Sequence, residues 1–209
     1  MVSFCAAFRS LCSFFKRSQT PSQSARFIAG HAYVDLGLSV KWATCNVGAD
    51  SPSDYGNYYA WGETTTKSTY TKDNSKTWGK DAYNRDIGGD ASLDAARANW
   101  GGTWRLPTKS EFTELINNCT WTWTTQGGHN GYKVTSKKKG YEDRSIFLPA
   151  AGWRYGSSLS NAGEYGFYWS SSPYGSNSLY ARCLNFYSSS HSTRWGYRSH
   201  GFSVRPVSE

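Results

Sequence analysis

The stretch Trp104-Arg105-Leu106-Pro107-Thr108-Lys109-Ser110-Glu111-Phe112 predicts where a helix begins. Thr108 follows a proline, and Glu111 stands three residues further on. This spacing is typical of a capping box, in which each of the two side chains accepts a hydrogen bond from the other residue's backbone N–H. An apolar stripe at helical spacing follows, made of Phe112, Leu115 and Ile116. The helix is expected to end at Asn117-Asn118.

A shorter helix is predicted upstream of this one. Asp90 is a suitable N-cap, and the residues that follow it through Ala98 are rich in Ala. Trp100-Gly101-Gly102 would end this helix. Residues 63–89, before it, are polar and rich in Gly, Asn and Lys, so we expect a long loop there.

The remaining sequence is typical of short strands separated by turns. After residue 119, Gly interrupts apolar runs at short intervals, and Lys137 to Lys139 have the context of a hairpin turn. We expect strands within residues 31–42, 121–124, 132–136 and 145–149.

Composition excludes several protein classes. The 209 residues are 17% aromatic, with 10 Trp and 15 Tyr, and only 18% charged, against about 25% charged in an average globular chain. A disordered chain would be poor in rings and rich in charge. No stretch approaches the roughly 18 apolar residues of a membrane-spanning helix. Trp and Tyr combine a large rigid area with a polar group, which favours recognition surfaces.

The net charge of +8 is concentrated at the two ends of the chain. Residues 1–30 carry four bases and no acid, and residues 165–209 carry four arginines against Glu209. The intervening residues are nearly neutral. A nucleic-acid-binding protein usually shows a dense basic stripe, so we expect no specific nucleic-acid partner.

Residues 1–30 form a basic amphipathic segment followed by a linker. Phe4, Phe8, Leu11 and Phe15 share one side of a predicted helix over about residues 2–16. Residues 1–17 are therefore expected to dock on a carrier protein or a membrane surface, or to have no role. Arg9 interrupts the apolar part, so the segment does not have the pattern of a secretory signal.

The five cysteines contain no CxxC pair, which disfavours a structural zinc site. Cys45 and Cys119 either form a disulfide or remain two buried thiols. We expect no metal and no cofactor.

Several short strings together carry a resemblance to a known family. The chain resembles the Fibrobacter succinogenes major paralogous domain over about residues 30–208. The helix start at Arg105 and the end at Gly201-Phe202-Ser203-Val204-Arg205 also look like the formylglycine-generating-enzyme type of C-type lectin fold. The strings that carry the resemblance are Tyr33-Val34-Asp35-Leu36-Gly37-Leu38, Lys41-Trp42-Ala43-Thr44-Cys45-Asn46-Val47-Gly48, Tyr59-Ala60-Trp61-Gly62-Glu63, Trp104-Arg105-Leu106-Pro107-Thr108, Phe147-Leu148-Pro149-Ala150-Ala151-Gly152, Tyr168-Trp169-Ser170-Ser171 and Gly201-Phe202-Ser203-Val204-Arg205-Pro206-Val207.

The resemblance implies a fold for residues 31–209. The expectation is an α+β protein, a C-type lectin-like fold with two short helices, paired terminal strands and long loops.

A narrower resemblance is to the variable proteins of diversity-generating retroelements, in which an error-prone reverse transcriptase mutates template adenines. Their diversified segment corresponds to residues 167–200 of this chain. That segment has no Lys, Asp or Glu and is rich in Ser and Tyr. Such a composition suits an adaptable binding face, because Tyr gives rigid contact area and Ser gives small hydrogen-bonding groups.

The resemblance implies a ligand-binding site in this segment, with a protein or a glycan on another cell, host or virion as the ligand. Such a protein would be exposed on a cell surface or a virion. Trp169 and Phe186 are expected in the core, and Arg205 and Glu111 in structural roles. The candidate contact residues are Tyr174, Ser176, Tyr180, Arg182, Asn185, Tyr187, His191, Trp195, Tyr197, Arg198 and His200.

Two other functions were weighed against a diversified binder. A fixed cell-surface or structural module would have the same composition without diversification. An oxidase like the formylglycine-generating enzymes would need two reactive cysteines in the C-terminal part, where only Cys183 lies. No GxSxG nucleophile motif is present either, so we expect no catalytic activity. Calcium-dependent sugar binding is also disfavoured, because residues 167–200 contain no carboxylate to coordinate calcium.

Overall fold

The structure is a computed structural model, and it describes residues 26–209. The predicted amphipathic helix over residues 2–16, the docking function of residues 1–17 and the polar linker at 18–24 lie outside the described residues. The described chain forms four small sheets and two α-helices. No helix within residues 26–209 is both long and apolar enough to cross a membrane.

The first sheet has four antiparallel strands and combines the start and the end of the described chain. Its spatial order is β1-β2-β3-β12. The strands are β1 (Arg26–Ile28), β2 (His31–Val34), β3 (Lys41–Ala43) and β12 (Val207–Ser208).

Two three-stranded sheets and a hairpin make up the rest of the β structure. In space the first is ordered β4-β5-β6 and the second β11-β10-β9, while β7 and β8 pair with each other. The strands are β4 (Cys119–Gln126), β5 (His129–Ser136), β6 (Ser145–Pro149), β7 (Trp153–Tyr155), β8 (Ser158–Ser160), β9 (Tyr165–Pro173), β10 (Tyr180–Tyr187) and β11 (Ser190–Tyr197).

The expected fold class is wrong. The protein is 39% strand and 10% helix, so it is mostly β rather than α+β, and it shows no clear C-type lectin-like fold. Strands β1 and β12 lie at opposite edges of their sheet and do not pair with each other. The matching strings are short and local, and they do not determine which strands hydrogen-bond in the folded protein.

The stronger of the two helix predictions is confirmed. Helix α2 spans Lys109–Asn118 and begins with the predicted capping box. The Thr108 hydroxyl accepts a hydrogen bond from the Glu111 N–H at 3.1 Å, and the Glu111 carboxylate accepts one from the Thr108 N–H at 2.7 Å.

The upstream helix is shorter than predicted and begins later. Helix α1 spans Ala95–Trp100, and its N-cap is Asp94 rather than Asp90. The Asp94 carboxylate accepts hydrogen bonds from the Ala96 and Arg97 N–H groups at 2.8 and 3.2 Å. Asp90 instead accepts from the N–H of Ser92 in the preceding turn.

Other local predictions are confirmed. Residues 63–89 form a loop with a single 3-10 turn at Asp81–Tyr83, and Lys137 to Lys139 lie between β5 and β6.

Cys45, Cys119 and Cys183 are free thiols, which excludes the Cys45–Cys119 disulfide. Cys45 is half-buried rather than buried.

The core forms on both faces of the sheet β11-β10-β9. Tyr168 and Leu184 pack into one cluster with Phe112 of α2. Their neighbours along the strands, Trp169 and Cys183, belong to a second cluster. Consecutive strand residues point to opposite faces, so this sheet lies between two apolar layers. Phe186 and Trp169 are buried, as predicted, and so are Trp42, Trp61 and Trp104, whereas Trp153 is half-buried.

Candidate ligand-binding face

Seven rings form a connected cluster where β10 begins and β11 ends; we call it the aromatic face. Tyr180 lies 4.5 Å from Trp195 and 4.8 Å from Tyr197 between ring centroids. Tyr197 lies 5.4 Å from Trp78 and 5.2 Å from His200. The remaining rings adjoin these at distances of 5.2 to 6.3 Å, and they are Tyr155 and Tyr174.

The strand register explains why the segment presents these side chains together. Tyr180 lies directly opposite Tyr197, and Arg182 lies opposite Trp195. Directly opposed residues project from the same side of an antiparallel pair. The intervening Ala181 is buried on the other side.

Gly196 allows close packing on the side of the strand pair where Ala181 is buried. A Cβ atom at this position would overlap the ring of Phe202 and press on Trp169. The closing end of β11 can therefore lie flat on the second core cluster while its alternate residues remain available to solvent.

The rings differ in how much surface they expose. Trp195 is 48% exposed and Tyr155 is 58% exposed. Tyr174, Tyr180, Tyr197 and His200 are half-buried. Tyr180 meets Trp195 at an interplanar angle of 66°, a near edge-to-face arrangement that holds aromatic pairs in defined positions.

The aromatic face is flanked by cations. The Arg182 guanidinium carbon lies 4.4 Å from the ring centroid of Tyr174, and the Lys72 ammonium lies 5.3 Å from that of Trp78. Burial lowers the pKa of His200, and the charge of Lys72 lowers it further. His200 is therefore neutral at pH 7. Because residues 165–208 contain no Asp or Glu, this part of the chain contributes no negative side chain to the face.

Six predicted contact residues belong to this face or flank it, namely Tyr174, Tyr180, Arg182, Trp195, Tyr197 and His200. Ser176 is exposed on the adjoining turn. The carbonyl of Ser176 accepts a hydrogen bond from the Asn84 amide at 3.1 Å, which fastens that turn to the long loop.

Two predicted residues lie at the far end of the strands. Tyr187 packs against Tyr165 at 5.3 Å. His191 stacks on Trp121 at 4.5 Å with nearly parallel rings, and burial lowers its pKa. Neither side chain is part of the aromatic face.

Asn185 and Arg198 correct the prediction, because both are buried. Asn185 is 7% exposed and donates to the carbonyl of Gly166. Arg198 has no exposed surface, and its guanidinium donates to Tyr180, Thr77, Lys80 and Asn84 oxygens. These side chains stabilise the fold and cannot contact a ligand directly.

Three members of the site were missed by the sequence analysis. Lys72 and Trp78 come from the long loop, and Tyr155 comes from the β7-β8 hairpin. Nothing local to these residues indicates that they approach residues 167–200. The loop 63–89 is no richer in aromatic residues than the rest of the chain, so its composition gives no signal either.

Other groups that bear on chemistry lie apart from this face. A cavity of about 440 Å³ is lined by His31, Cys45 and Asp50, among others. In residues 26–209, no three or more His, Cys, Asp and Glu side chains are grouped so as to hold a metal. Burial raises the pKa of the Cys183 thiol to about 12, which keeps it protonated and a poor nucleophile.

Comparison with known proteins gives one partial match. Residues 132–207 match a family described as a domain of unknown function, DUF8237. The match includes the sheet β11-β10-β9 but leaves out Lys72 and Trp78. No curated protein and no solved structure matches the chain.

Proposed function

We propose that this chain is a non-catalytic ligand-binding protein of the receptor or adhesin type, and that the aromatic face is its binding surface. The observation that carries the proposal is the gathering of six predicted contact residues at one exposed end of a sheet. Aromatic and Arg side chains supply most of the binding energy in many protein interfaces. Tyr and Trp do so at a small cost in conformational entropy. The ligand would be a protein or a glycan on another cell, host or virion.

We also propose that residues 167–200 are diversified by a retroelement. Along the first half of β10, buried residues alternate with accessible ones. Ala181 and Cys183 are buried, whereas Tyr180 and Arg182 are half-buried. The outward residues can therefore change without disturbing the core, which a diversified surface requires.

The binding surface is tested with two matched variants. Labelled protein would be applied to arrays of glycans and cell-surface proteins, and every bound ligand titrated. We expect Tyr180→Ala combined with Trp195→Ala to abolish binding, because both rings lie in the centre of the aromatic face. Phe27→Ala is the control, since Phe27 is 61% exposed on β1. Equal binding by both variants would place the binding site elsewhere.

Flanking DNA distinguishes a diversified face from a fixed one. We expect a near-copy of the DNA encoding residues 167–200 beside a reverse transcriptase gene. Differences between copies should fall at the codons for Tyr174, Tyr180 and Tyr197 and should spare those for Leu184 and Phe186. Absence of such a copy would leave the fixed module of the same fold as the function.

The alternative of an oxidase has less support. Its chemistry needs a pair of accessible cysteines, whereas Cys183 is fully buried. Activity towards a peptide substrate that is lost in Cys183→Ala would be needed to favour it.

A further inference from the structure

We propose that Arg182 binds a carboxylate group, and that the ligand of the aromatic face is an acidic glycan. This inference rests on the proposed function and specifies the chemical class of the ligand.

Among residues 26–209, Arg182 lacks the hydrogen-bond acceptors that the other buried and half-buried arginines have. In the described part of the chain, every other buried or half-buried Arg donates a hydrogen bond to a protein oxygen. These arginines are Arg97, Arg105, Arg144, Arg154, Arg198 and Arg205. Arg182 is half-buried, and among residues 26–209 its guanidinium has neither a protein acceptor nor an ion-pair partner. None of its nitrogens is a buried atom without a hydrogen-bond partner, so they reach the surface and are available to an acceptor on a ligand.

The position of Arg182 is fixed by its surroundings. Its guanidinium lies over Tyr174, and its residue stands opposite Trp195 in the register of β10 and β11. Stacking leaves the N–H groups at the edge of the guanidinium plane free. A guanidinium edge matches the two oxygens of a carboxylate, and such bidentate pairs are among the stronger hydrogen-bonded contacts in proteins.

The charges around the face favour an anionic ligand. Lys72 adds a second cation at the side of Trp78. Residues 165–208 supply no carboxylate that would compete for Arg182 or repel an anion. In the long loop, the Asp81 carboxylate accepts from the same Asn84 amide that donates to Ser176, so it already has a partner. The ligand should therefore carry acidic groups that can reach one cation or both.

The ring geometry favours a sugar over a nucleic acid. Tyr174 and Tyr180 meet at 75°, and Tyr180 and Trp195 meet at 66°. The rings therefore pack on one another and do not form a row of free faces on which successive bases could stack. Single-stranded nucleic acid also requires a basic groove that follows its backbone, and two separated cations do not supply one. A pyranose can place its C–H face on the ring of Trp195, which is exposed.

The test measures binding of the full chain to immobilised carboxylated oligosaccharides, namely tetragalacturonate and sialyllactose. Their neutral counterparts, carboxyl-reduced tetragalacturonate and lactose, are measured beside them. A Glu-rich peptide and a single-stranded oligonucleotide form two further arms. We expect at least one carboxylated sugar to bind more tightly than its neutral counterpart and more tightly than the peptide or the oligonucleotide.

Variants of Arg182 then test the residue itself. Arg182→Gln should weaken binding by about tenfold to a hundredfold, the effect of losing hydrogen bonds to a charged group. Arg182→Lys should bind less tightly than the unmodified protein and more tightly than Arg182→Gln, because an ammonium keeps the charge without the two parallel donors. The control is Arg194→Gln, an exposed Arg that lies opposite Cys183 and therefore on the other side of the strand pair. It should change binding by no more than about twofold. Circular dichroism would verify that each variant is folded.

Three results would overturn the inference. The first is equal loss in Arg182→Gln and Arg194→Gln. The second is tightest binding of the peptide or the oligonucleotide. The third is that no carboxylated sugar binds better than its neutral counterpart, whether or not the neutral sugar binds. If a neutral sugar binds and is lost only in Tyr180→Ala with Trp195→Ala, the proposed binding face stands while the role of Arg182 fails.

Discussion

Arg205 carries a fully buried guanidinium that joins three parts of the chain. It donates to the side-chain oxygen of Asn46 at 2.8 Å and to the carbonyls of Thr44 and Phe147 at 2.6 and 3.0 Å. A further hydrogen bond reaches the carbonyl of Ala43 at 3.1 Å. Burial lowers the pKa of Arg205. Its acceptors form a polar cage, which confirms the structural role predicted for this residue.

Replacing Arg205 with Met should destabilise the protein by at least about 3 kcal/mol. The change leaves several buried oxygens without donors, and each unsatisfied buried group costs about 1–3 kcal/mol. Urea unfolding at pH 7 would measure the loss. Arg194→Met is the matched control at an exposed site, where we expect a change within about 0.5 kcal/mol. Similar losses in the two variants would show that the buried hydrogen bonds of Arg205 add little to stability.

At the scale of elements, the start of α2 joins a capping box to an ion pair. The Glu111 carboxylate accepts from Arg105 at 2.7 and 2.9 Å as well as from the Thr108 N–H. Burial alone would raise the pKa of Glu111, but the hydrogen bonds from Arg105 and Thr108 and the Arg105 charge bring it below its usual 4.5. The ionised carboxylate is therefore favoured in the folded state.

This lowered pKa predicts a pH-dependent contribution to stability. A carboxyl group whose pKa is depressed by folding stabilises the protein above its unfolded pKa, and that stabilisation is lost as the pH falls through the folded pKa. We expect Glu111→Gln to cost about 1.5–3 kcal/mol at pH 7, the usual range for hydrogen bonds to a charged group. The difference from the unmodified protein should narrow at pH 3. Urea unfolding at both pH values would measure it, and a difference that stays constant would contradict the argument.

The two helices show which elements a sequence can specify. The capping box of α2 lies within four residues, so its signal is local and the prediction was correct. The cap of α1 depends on a distant contact, because the Asp94 carboxylate also accepts the N–H groups of Gly89 and Leu106. Asp90 has equal capping chemistry but lacks that contact with Leu106. The strands predicted after residue 119 were found because glycines that interrupt apolar runs are also a local signal.

The fold of the whole molecule depends on strand pairings between residues that are far apart in the sequence. The fold class was wrong because short shared strings do not fix how β3 pairs with β12 or how four sheets are arranged. The candidate site was found in part for the same reason. The composition of residues 167–200 and the resemblance singled out Tyr180 and Trp195, which lie together in the structure. The burial of Arg198 depends on Thr77 and Lys80, which lie more than a hundred residues earlier.

Arg198 connects the long loop to the sheet that presents the aromatic face. Its guanidinium lies over Trp61 at 4.4 Å and donates to Tyr180 and to the loop residue Asn84 at 3.0 and 2.6 Å. A hydrogen bond from the Gly79 N–H to the Ser178 carbonyl at 3.0 Å lies beside it. Burial lowers the pKa of Arg198 to about 10, so the guanidinium is still charged at pH 7. These contacts hold Trp78 of the loop against Tyr197.

Replacing Arg198 with Leu should therefore loosen the long loop and disturb the aromatic face, although Arg198 itself is not exposed. Its carbonyl acceptors would lose a buried donor, at a cost of about 1–3 kcal/mol for each group left unsatisfied. The loop contains Lys72, Lys76 and Lys80, so trypsin under native conditions should cut it faster, and the near-ultraviolet circular dichroism of the ring cluster should weaken. Arg194→Leu is the matched control, because Arg194 is exposed, lies on the other side of the strand pair and donates to Ser192 rather than to the loop. Unchanged cleavage in Arg198→Leu would mean that the loop is held in place by its other contacts, such as the one between Gly79 and Ser178.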